Sequence, residues 1–310
     1  MAQQPLSIGV DIGGTHITCA AVNRSTGSVE PGTLSREICG HQAAAEETIR
    51  CWAAALNATV SKLNASEIAG IGFAIPGPFD YRNGISRMQH KFAGLYGLHI
   101  PTALQPLLTT GNQLPMRFLN DAAAFAVGEA WVGQGRGFRK VVVITLGTGF
   151  GSAFVDDGVP VVAREDVPPE GCLWHLPFKD GIADAYFSTG WFVQAYENRT
   201  GRKVEGVKTL MDQPTGDVVA QQLFSEFGHN LASCLAPWLK SFGAEMLVIG
   251  GNIGHALPLF ESQLRQGLHQ EGVEVGIALS RMYETAALVG SARLFDDDFW
   301  KKVSACLPNI

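Results

Sequence analysis

The chain contains two copies of one short pattern, a β-strand, a glycine-rich turn and a second β-strand. The first copy reads VDIGGTHITCAAV from residue 10, and the second reads VVVITLGTGFGSAFV from residue 141. Valine and isoleucine favour strands, whereas glycine permits tight turns. Helix-like segments follow each copy, so the pattern predicts an α/β protein with mixed sheets. We expect two related lobes with a cleft between them.

The two lobes are predicted to divide near MRFLNDAAAFAVGEA. A small N-terminal lobe is expected over residues 1–119, with residues 291–310 returning to it, and a large lobe over residues 120–290. Apolar residues at helical spacing predict helices in AAAEETIRCWAAALNATVSKL and in PLFESQLRQGLHQEG, the second ended by Gly272. The same spacing predicts a long helix in TGDVVAQQLFSEFGHNLASCLAPWLKSFG, which Pro237 is expected to kink or divide.

Charge and hydropathy argue against several classes of partner. The net charge is −6 and the basic residues are scattered, which argues against an extended nucleic-acid interface. No apolar run approaches the ~18–20 residues of a membrane span, and MAQQPLSIGV lacks the pattern of a signal peptide. Six cysteines occur without a CxxC or CxC pair, which predicts reduced, packing cysteines in a cytoplasmic protein.

The second glycine turn has the composition of an anion-binding loop. Gly147, Gly149 and Gly151 leave backbone N–H groups accessible, and Thr148 adds a hydroxyl. The segment after the turn is strand-like and no Walker lysine follows, so the turn fits neither the dinucleotide-binding motif nor the P-loop. A plain hairpin turn is the alternative interpretation.

The first turn adds a carboxylate, because Asp11 stands where the first strand ends and Gly13 and Gly14 turn the chain. A carboxylate next to bound phosphate makes sense only if a divalent cation lies between them, directly or through water. An aspartate that caps the turn is the alternative.

Two further strand ends carry candidate residues. Asn120 and Asp121 end an apolar strand and open an alanine-rich helix, where an aspartate serves either as a general base or as a helix N-cap. Gly250 and Gly251 end another strand, where the backbone can pass close under a flat ligand such as adenine.

The motifs DIGGT, GFAIPGP, LNDAAAFAVGE, TLGTGFGSA and LVIGG, in this order, resemble those of the ROK family of sugar kinases. That family belongs to the actin-like ATPase and hexokinase superfamily, and the resemblance runs from about residue 7 to about residue 294. It implies a two-lobed actin-like ATPase (ribonuclease H-like) fold, with mixed sheets flanked by helices and the active site in the cleft between lobes.

The resemblance also implies roles for individual residues. ATP phosphates and magnesium are expected at Asp11, Gly13, Gly14, Thr15, Gly147, Thr148, Gly149 and Gly151, with Asp11 on the magnesium side and Gly250 and Gly251 near the nucleotide. The sugar is expected at Gly77, Asn120, Asp121, Glu170, His175 and Asp184, with Asp121 as catalytic base. His16 stands where the family usually has lysine.

Two segments depart from the family pattern. REDVPPEGCLWHLPFKDGIADAYFSTGW lacks the cysteines of the family's zinc cluster, so we expect no zinc; zinc-less relatives include glucokinases that use polyphosphate. QHKFAGLYGLHI replaces the family's sugar loop, which leaves the sugar open. Because DIGGT begins at Asp11, no DNA-binding domain is expected before it, and a homodimer is the default expectation.

These features predict an ATP-dependent kinase that phosphorylates the primary hydroxyl of a hexose or an N-acetyl amino sugar. Its partners are expected to be a small-molecule sugar and a nucleotide, without nucleic acid or membrane. Three alternatives remain: a non-catalytic sugar-binding relative, a kinase with polyphosphate as donor, and an ATPase without a sugar substrate.

Overall fold

The computed structural model describes residues 5–40, 43–89, 91–110, 113–212 and 217–307. Residues 1–4, His90 and residues 215–216, which some of the predicted segments include, lie outside the described residues. Two compact units are present, the first comprising Met1–Arg136, Gly158–Pro160 and Glu284–Ile310 and the second Gly137–Asp157 and Val161–Tyr283. This division places the helix after Asn120 in the first unit, whereas the predicted lobe boundary lies before that helix.

The strands in chain order are β1 Leu6–Ile12, β2 His16–Asn23, β3 Ser35–Ile38, β4 Ile68–Ile75, β5 Phe79–Asp80, β6 Ile85–Ser86, β7 Met116–Asn120, β8 Lys140–Leu146, β9 Phe150–Asp156, β10 Val159–Pro160, β11 Pro177–Phe178, β12 Gly181–Ile182, β13 Met246–Gly250 and β14 Gly276–Leu279. The α-helices are α1 Ala45–Val60, α2 Ile100–Leu104, α3 Asp121–Val132, α4 Ala183–Tyr186, α5 Thr189–Thr200, α6 Val207–Met211, α7 Val218–Phe242, α8 Leu257–Gln270, α9 Thr285–Ala292 and α10 Asp297–Cys306.

The two units contain sheets of the same topology. In the first unit the order is β3-β2-β1-β4-β7, with β1 and β2 antiparallel and β1, β4 and β7 parallel. In the second unit β9, β8, β13 and β14 follow the same plan, with β8 and β9 antiparallel and β8, β13 and β14 parallel. Each glycine turn joins the antiparallel pair. The predicted relation between the two copies of the pattern is therefore confirmed at the level of strand order.

Helix α9 lies against the first sheet without intervening side chains. Gly9 and Gly72 are neighbours in register on β1 and β4. A Cβ atom on Gly9 would lie 2.0 Å from the carbonyl oxygen of Leu288, and one on Gly72 would lie 1.9 Å from that of Ser291. Both glycines are thus required by the close approach of the α9 backbone.

Helix α3 packs on α9 through a second pair of glycines. A Cβ on Gly128 would lie 2.1 Å from the carbonyl oxygen of Ala286, and one on Gly290 would lie 1.8 Å from that of Ala124. The backbone contacts fix α3, whose first residue is Asp121, relative to the sheet through α9. This packing determines where the chain after β7 begins its helix.

The long helix α7 is continuous through Pro237, so of the two predicted effects, a kink or a division, the division is wrong. A proline inside a helix removes one backbone donor, which weakens but does not always interrupt the helix. Pro237 is exposed, whereas Ala236, Leu239 and Phe242 around it are buried in the core of the second unit. Burial of the last turns therefore holds the helix together beyond the proline.

Cysteine usage differs from the prediction of six reduced thiols. Cys39 and Cys51 form a disulfide, with Cα atoms 6.1 Å apart. The two residues are 12 positions apart in sequence, and the packing of α1 against β3 brings them together. The other four cysteines form no disulfide bond among the described residues. Because disulfides are rare in reducing compartments, cysteine usage no longer supports a cytoplasmic location.

Among the residues that the structure describes, no helix has the combined length and apolar character needed to cross a bilayer.

Candidate active site

The turn between β1 and β2 presents Gly14 and Thr15 to solvent, next to the partly exposed Asp11. The backbone N–H of Gly13 donates to the carbonyl of His16 over 2.9 Å and closes the turn. The imidazole covers Gly13, because a Cβ there would lie 2.9 Å from His16 Cε1. His16 Nδ1 is also 3.3 Å from Thr15 Oγ1. The imidazole therefore shapes the turn, a role that was not predicted from the sequence.

The parallel strands of the first unit bring the predicted residues to one edge of the sheet. Asp11 is in register with Ala74 on β4, and the next residue of β4, Ile75, is in register with Asn120 on β7. The carboxyl ends of these three strands therefore carry Asp11, Gly77 just after β4, and the Asn120–Asp121 pair.

Asn120, and not Asp121, is the N-cap of α3. Asn120 Oδ1 accepts a hydrogen bond from the backbone N–H of Ala123 over 3.2 Å, and Asn120 Nδ2 donates to the hydroxyl of Tyr81 over 3.3 Å. Asp121 is the first helical residue, and its Oδ1 accepts from Ala122 N–H over 2.9 Å. The capping alternative for Asp121 is therefore wrong, since its neighbour performs that function.

Tyr81 links the remaining predicted residue of this edge to Asn120. Its hydroxyl donates to the carbonyl of Ile75 over 3.3 Å and lies 3.2 Å from the position of a Cβ on Gly77. Gly77, Tyr81 and Asn120 thus form a connected group. No sequence signal pointed to Tyr81, because its role depends on the short strands β5 and β6 that fold it back.

Asp11 and Asp121 are acidic groups with raised pKa values. Burial raises the pKa of Asp11 from 3.8 to about 7, and the charges of Asp121 and Glu284 add to the effect, while Arg36 opposes it. Burial also raises the pKa of Asp121, against the backbone hydrogen bond from Ala122 and the charge of Lys91. Carboxyl groups with pKa values raised in this way are typical of catalytic and ion-binding sites.

Replacement of Asp11 by asparagine is expected to stabilise the ligand-free protein in a pH-dependent way. Since the pKa of Asp11 is higher in the folded chain, folding disfavours its ionisation, and the free energy of unfolding falls as the pH rises from about 4 to about 7. The asparagine variant would lack this loss, which is worth up to about 4 kcal/mol above pH 7. Urea unfolding at pH 4 and pH 8 measures the difference, with Asp298→Asn on the exposed surface as control. An equal difference at both pH values would contradict the assignment.

The turn between β8 and β9, in which Thr148 and Gly149 are exposed, is held in place by residues of α4 and α5. Thr189, at the start of α5, donates from its backbone N–H and its hydroxyl to the carbonyl of Gly147, over 2.8 and 3.0 Å. Asp184 Oδ1 accepts a hydrogen bond from the backbone N–H of Phe150 over 2.7 Å. A rigid turn with exposed glycines is a suitable anion site.

The other predicted glycines of the second unit lie beside this turn. Gly250 on β13 and Gly151 on β9 are both in register with Thr145 on β8. Gly251 has a φ of 80°, and a Cβ there would lie 2.3 Å from the carbonyl oxygen of Leu146. The sheet therefore brings the predicted nucleotide-side glycines of this unit together, and Gly251 is required by its backbone conformation.

Substitution of the exposed turn glycines is expected to separate binding from folding. Neither Gly14 nor Gly147 has a left-handed φ, and a Cβ on either would have no heavy atom within 4 Å. Gly14→Ala and Gly147→Ala should therefore leave the free energy of unfolding within about 1 kcal/mol of wild type. If phosphate contacts these backbones, the added methyl should weaken nucleotide binding about tenfold or more. Calorimetric titration with nucleotide checks this, and unchanged affinity in both variants would contradict a phosphate role for the turns.

The segment with the predicted sugar residues of the second unit follows β10. Asp184 N–H donates to the carbonyl of Trp174 over 2.9 Å, which places His175 and Asp184 on adjoining backbone. Glu170 is exposed and has a left-handed φ of 59°. Asp184 is thus hydrogen-bonded both to the second turn and to the backbone next to His175. Among the described residues, no hydrogen bond or ion pair joins Glu170 to the side chain of His175 or of Asp184.

The region of the predicted missing zinc cluster is a small hairpin of β11 and β12. Phe178 on β11 packs against Tyr186 and Phe187, with ring centroids 5.2 Å apart in both cases. The hydroxyl of Tyr186 donates to Asp180, and the ammonium of Lys179 lies 5.5 Å from the Tyr186 ring. Aromatic packing therefore holds this hairpin beside Asp184.

A magnesium ion fits the first unit as a phosphate-bound ion with few protein ligands. Among the described residues, no three His, Cys, Asp or Glu side chains lie close enough to form a metal site of their own. Magnesium commonly binds through one or two carboxylates together with waters and substrate phosphates. Burial, with a further contribution from the charges of Asp121 and Glu284, raises the pKa of Asp11, and a bound cation would favour its ionised form. Asp11 is the residue that would hold this ion.

Residues 7–298 match the family model described as the ROK family. The chain belongs to the ROK family. This match extends over nearly the whole of the described structure and confirms the resemblance given by the five sequence motifs.

Two sequence relatives and one solved structure illustrate this similarity. The glucokinase of Thermotoga maritima is 26% identical over 94% of this chain and 97% of its own. The N-acetyl-D-glucosamine kinase of Photobacterium profundum is 24% identical over 82% of this chain and 86% of its own. The structure of a ROK family glucokinase from Streptomyces griseus in complex with glucose and AMPPNP has a TM-score of 0.75 at 22% identity, over 93% of this chain and 98% of the glucokinase. The predicted actin-like ATPase fold of this ROK protein is thereby confirmed.

Proposed function

We propose that this ROK protein transfers the terminal phosphoryl group of ATP to the primary hydroxyl of a hexose or an N-acetyl amino sugar. The broader statement, that it is a sugar phosphotransferase, rests on its family and on its glucokinase and N-acetyl-D-glucosamine kinase relatives. The single observation that carries the finer proposal is the position of Asp121. Asp121 is the first residue of helix α3, its pKa is raised, and its charge acts on Asp11. Asn120, and not Asp121, provides the N-cap of the helix.

Asp121 is the proposed general base. Its carboxylate would accept the proton of the sugar hydroxyl as that oxygen attacks the terminal phosphorus, and ADP leaves on the opposite side. A raised pKa brings a carboxylate closer to the pKa at which proton transfer near neutral pH is efficient. The pKa of Asp121 is raised by burial, and this supports the role.

Asn120 and its neighbours are the proposed sugar-orienting group of the first unit. The amide of Asn120 is fixed by hydrogen bonds to Ala123 N–H and to the Tyr81 hydroxyl, and Tyr81 covers Gly77. A fixed amide orients a sugar hydroxyl at little entropic cost. We propose that His175, Glu170 and Asp184 contribute further sugar contacts, with one oxygen of Asp184 already engaged by Phe150 N–H.

The two glycine turns are the proposed phosphate contacts. Gly13, Gly14 and Thr15 in one turn and Gly147, Thr148, Gly149 and Gly151 in the other would supply backbone N–H groups and hydroxyls, while Gly250 and Gly251 would lie near the nucleotide. Magnesium, held by Asp11 directly or through water, would neutralise charge on the phosphates when bound. A cation at this position would favour the ionised form of Asp11, whose pKa is otherwise raised to about 7.

A coupled assay of ADP release over a panel of sugars tests the proposal. The panel contains glucose, mannose, fructose, N-acetylglucosamine and N-acetylmannosamine, each with ATP and, in parallel, with polyphosphate as donor. We expect ADP release that depends on one or a few of these sugars. Sugar binding without turnover would favour the non-catalytic alternative, and ADP release without sugar would favour an ATPase. Turnover with polyphosphate alone would replace ATP as the donor.

Three smaller assignments remain proposals, and only the first of them follows from the family resemblance alone. They are a homodimer, a cytoplasmic location and the absence of structural zinc. Sedimentation and metal analysis of the purified protein test the first and the last, and stoichiometric zinc would contradict the latter.

A further inference from the structure

We propose that Arg36 on β3 is a nucleotide-binding residue that contacts the ATP phosphates at the first turn, and that Glu284 holds its guanidinium when no nucleotide is bound. This inference rests on the proposed use of ATP as phosphoryl donor. It concerns residues that lie outside the five family motifs, and Arg36 and Glu284 are 248 positions apart in sequence.

The register of the first sheet places Arg36 in one row with the candidate magnesium residue. Asp11 is directly opposite Thr18 on β2, and Thr18 is directly opposite Arg36 on β3. Directly opposed residues of antiparallel strands project from the same face of a sheet. Gly9, two residues before Asp11, faces helix α9, so all three side chains project from the α9 side. Arg36 therefore lies on the face that carries Asp11.

The middle residue of the row is a buried hydroxyl without a partner. Thr18 is only 2% exposed, and its Oγ1 makes no hydrogen bond with any described residue. A buried hydroxyl of this kind is costly unless another group completes it. Its position between Asp11 and Arg36 is consistent with a polar ligand reaching this row.

Arg36 supplies the permanent positive charge near the first turn. Burial and the charge of Arg36 lower the pKa of His16, the residue directly after the turn, while the charge of Glu284 opposes them. The charges of Asp121 and Glu284 add to the effect of burial and raise the pKa of Asp11, whereas the charge of Arg36 lowers it. Phosphate groups approaching this turn require positive charge. A guanidinium, which binds phosphate through two parallel N–H donors, is suited to that task.

The ion pair with Glu284 has the character of a temporary partner. Arg36 Nη1 is 3.2 Å from Glu284 Oε2, and the two side chains are 48% and 57% exposed. Exposed pairs of this kind contribute little to stability. Glu284 directly precedes α9 and competes with any anion for Arg36. The two partners are thus expected to have opposite effects on nucleotide affinity, which a purely structural ion pair would not produce.

The test measures binding of AMPPNP with magnesium and, separately, of adenosine, without sugar or turnover. Arg36→Ala should weaken AMPPNP binding about tenfold or more and change adenosine binding less than about twofold. Arg36→Lys should recover part of the affinity, because it retains the charge without the paired donors. Glu284→Gln should strengthen AMPPNP binding. Arg50→Ala is the matched control, since Arg50 forms a comparable exposed ion pair with Glu46 on α1.

Each remaining outcome is decisive. Equal loss of AMPPNP and adenosine binding in Arg36→Ala, unchanged AMPPNP binding, or a loss in Glu284→Gln that matches Arg36→Ala would overturn the role of Arg36. If wild type binds AMPPNP through Arg36 but phosphorylates no sugar, the proposed function fails and this inference stands. If wild type phosphorylates sugar with ATP and Arg36→Ala binds AMPPNP normally, the inference fails alone. Wild type that binds no AMPPNP refutes both.

Discussion

Asp121→Asn is expected to lower kcat for sugar phosphorylation by about 10²–10⁴-fold, with the fold intact. Asparagine has the same size and retains an oxygen that can accept the hydrogen bond from Ala122 N–H, but it cannot take a proton from the sugar hydroxyl. The pKa of Asp121 is raised by burial, so its charge is costly to the folded chain, and its removal should not lower the free energy of unfolding. Initial-rate kinetics with the best sugar of the panel measure the effect.

The matched control for this variant is Asp80→Asn in the same unit. Asp80 is buried on β5 and accepts hydrogen bonds from Asn83, which lower its pKa. Its replacement should reduce stability more than Asp121→Asn does and leave kcat within a few-fold of wild type. Near-normal kcat in Asp121→Asn, or an equal loss in both variants, would remove Asp121 from the chemical step.

Gly72→Ala is expected to cost about 3 kcal/mol or more in the free energy of unfolding, although it adds one methyl group. The new Cβ would lie 1.9 Å from the carbonyl oxygen of Ser291, and the backbone of α9 would have to withdraw from the sheet. Because α3 packs on the same helix through Gly128 and Gly290, the displacement would reach the start of α3 and Asp121. We therefore expect loss of activity together with loss of stability.

Urea unfolding with Gly14→Ala as the control isolates the cause. Both changes are Gly→Ala in the first unit, but a Cβ on Gly14 meets no heavy atom within 4 Å. Gly→Ala at a compatible position normally stabilises a protein slightly, so the two variants should differ in sign. Equal stabilities would show that α9 adapts to the added methyl group, and that the close contact at Gly72 does not determine the position of α9.

Much of the fold could be predicted from the sequence because its signals are local. Apolar runs on either side of the two glycine turns marked β1, β2, β8 and β9, and the run before Gly250–Gly251 marked β13. The Asn120–Asp121 junction was correctly placed at the end of a strand and the start of a helix. The repeated strand–turn–strand pattern also anticipated the common topology of the two sheets. Gly9 and Gly72, glycines inside strands, were a usable signal of close backbone approach.

Features that depend on distant parts of the chain could not be predicted. The Cys39–Cys51 disulfide requires α1 to fold onto β3, and no spacing rule indicates it. The hydrogen bond from Phe150 N–H to Asp184 joins residues 34 positions apart. The division of α7 at Pro237, one of the two predicted effects, does not occur because burial of the surrounding turns sustains the helix. The side-chain partners of the candidate site residues are thus the part that only the structure supplies.

The most direct test of the proposed function is detection of the phosphorylated sugar itself. Wild type and Asp121→Asn are incubated with ATP, magnesium and the sugar panel, and the products are quantified by mass spectrometry and located by ³¹P NMR. We expect one phosphate on the primary hydroxyl of a hexose or N-acetyl amino sugar, formed by wild type and reduced at least about 100-fold in Asp121→Asn. ATP-dependent product formation at equal rates in both proteins, or no sugar phosphate from wild type, would contradict it.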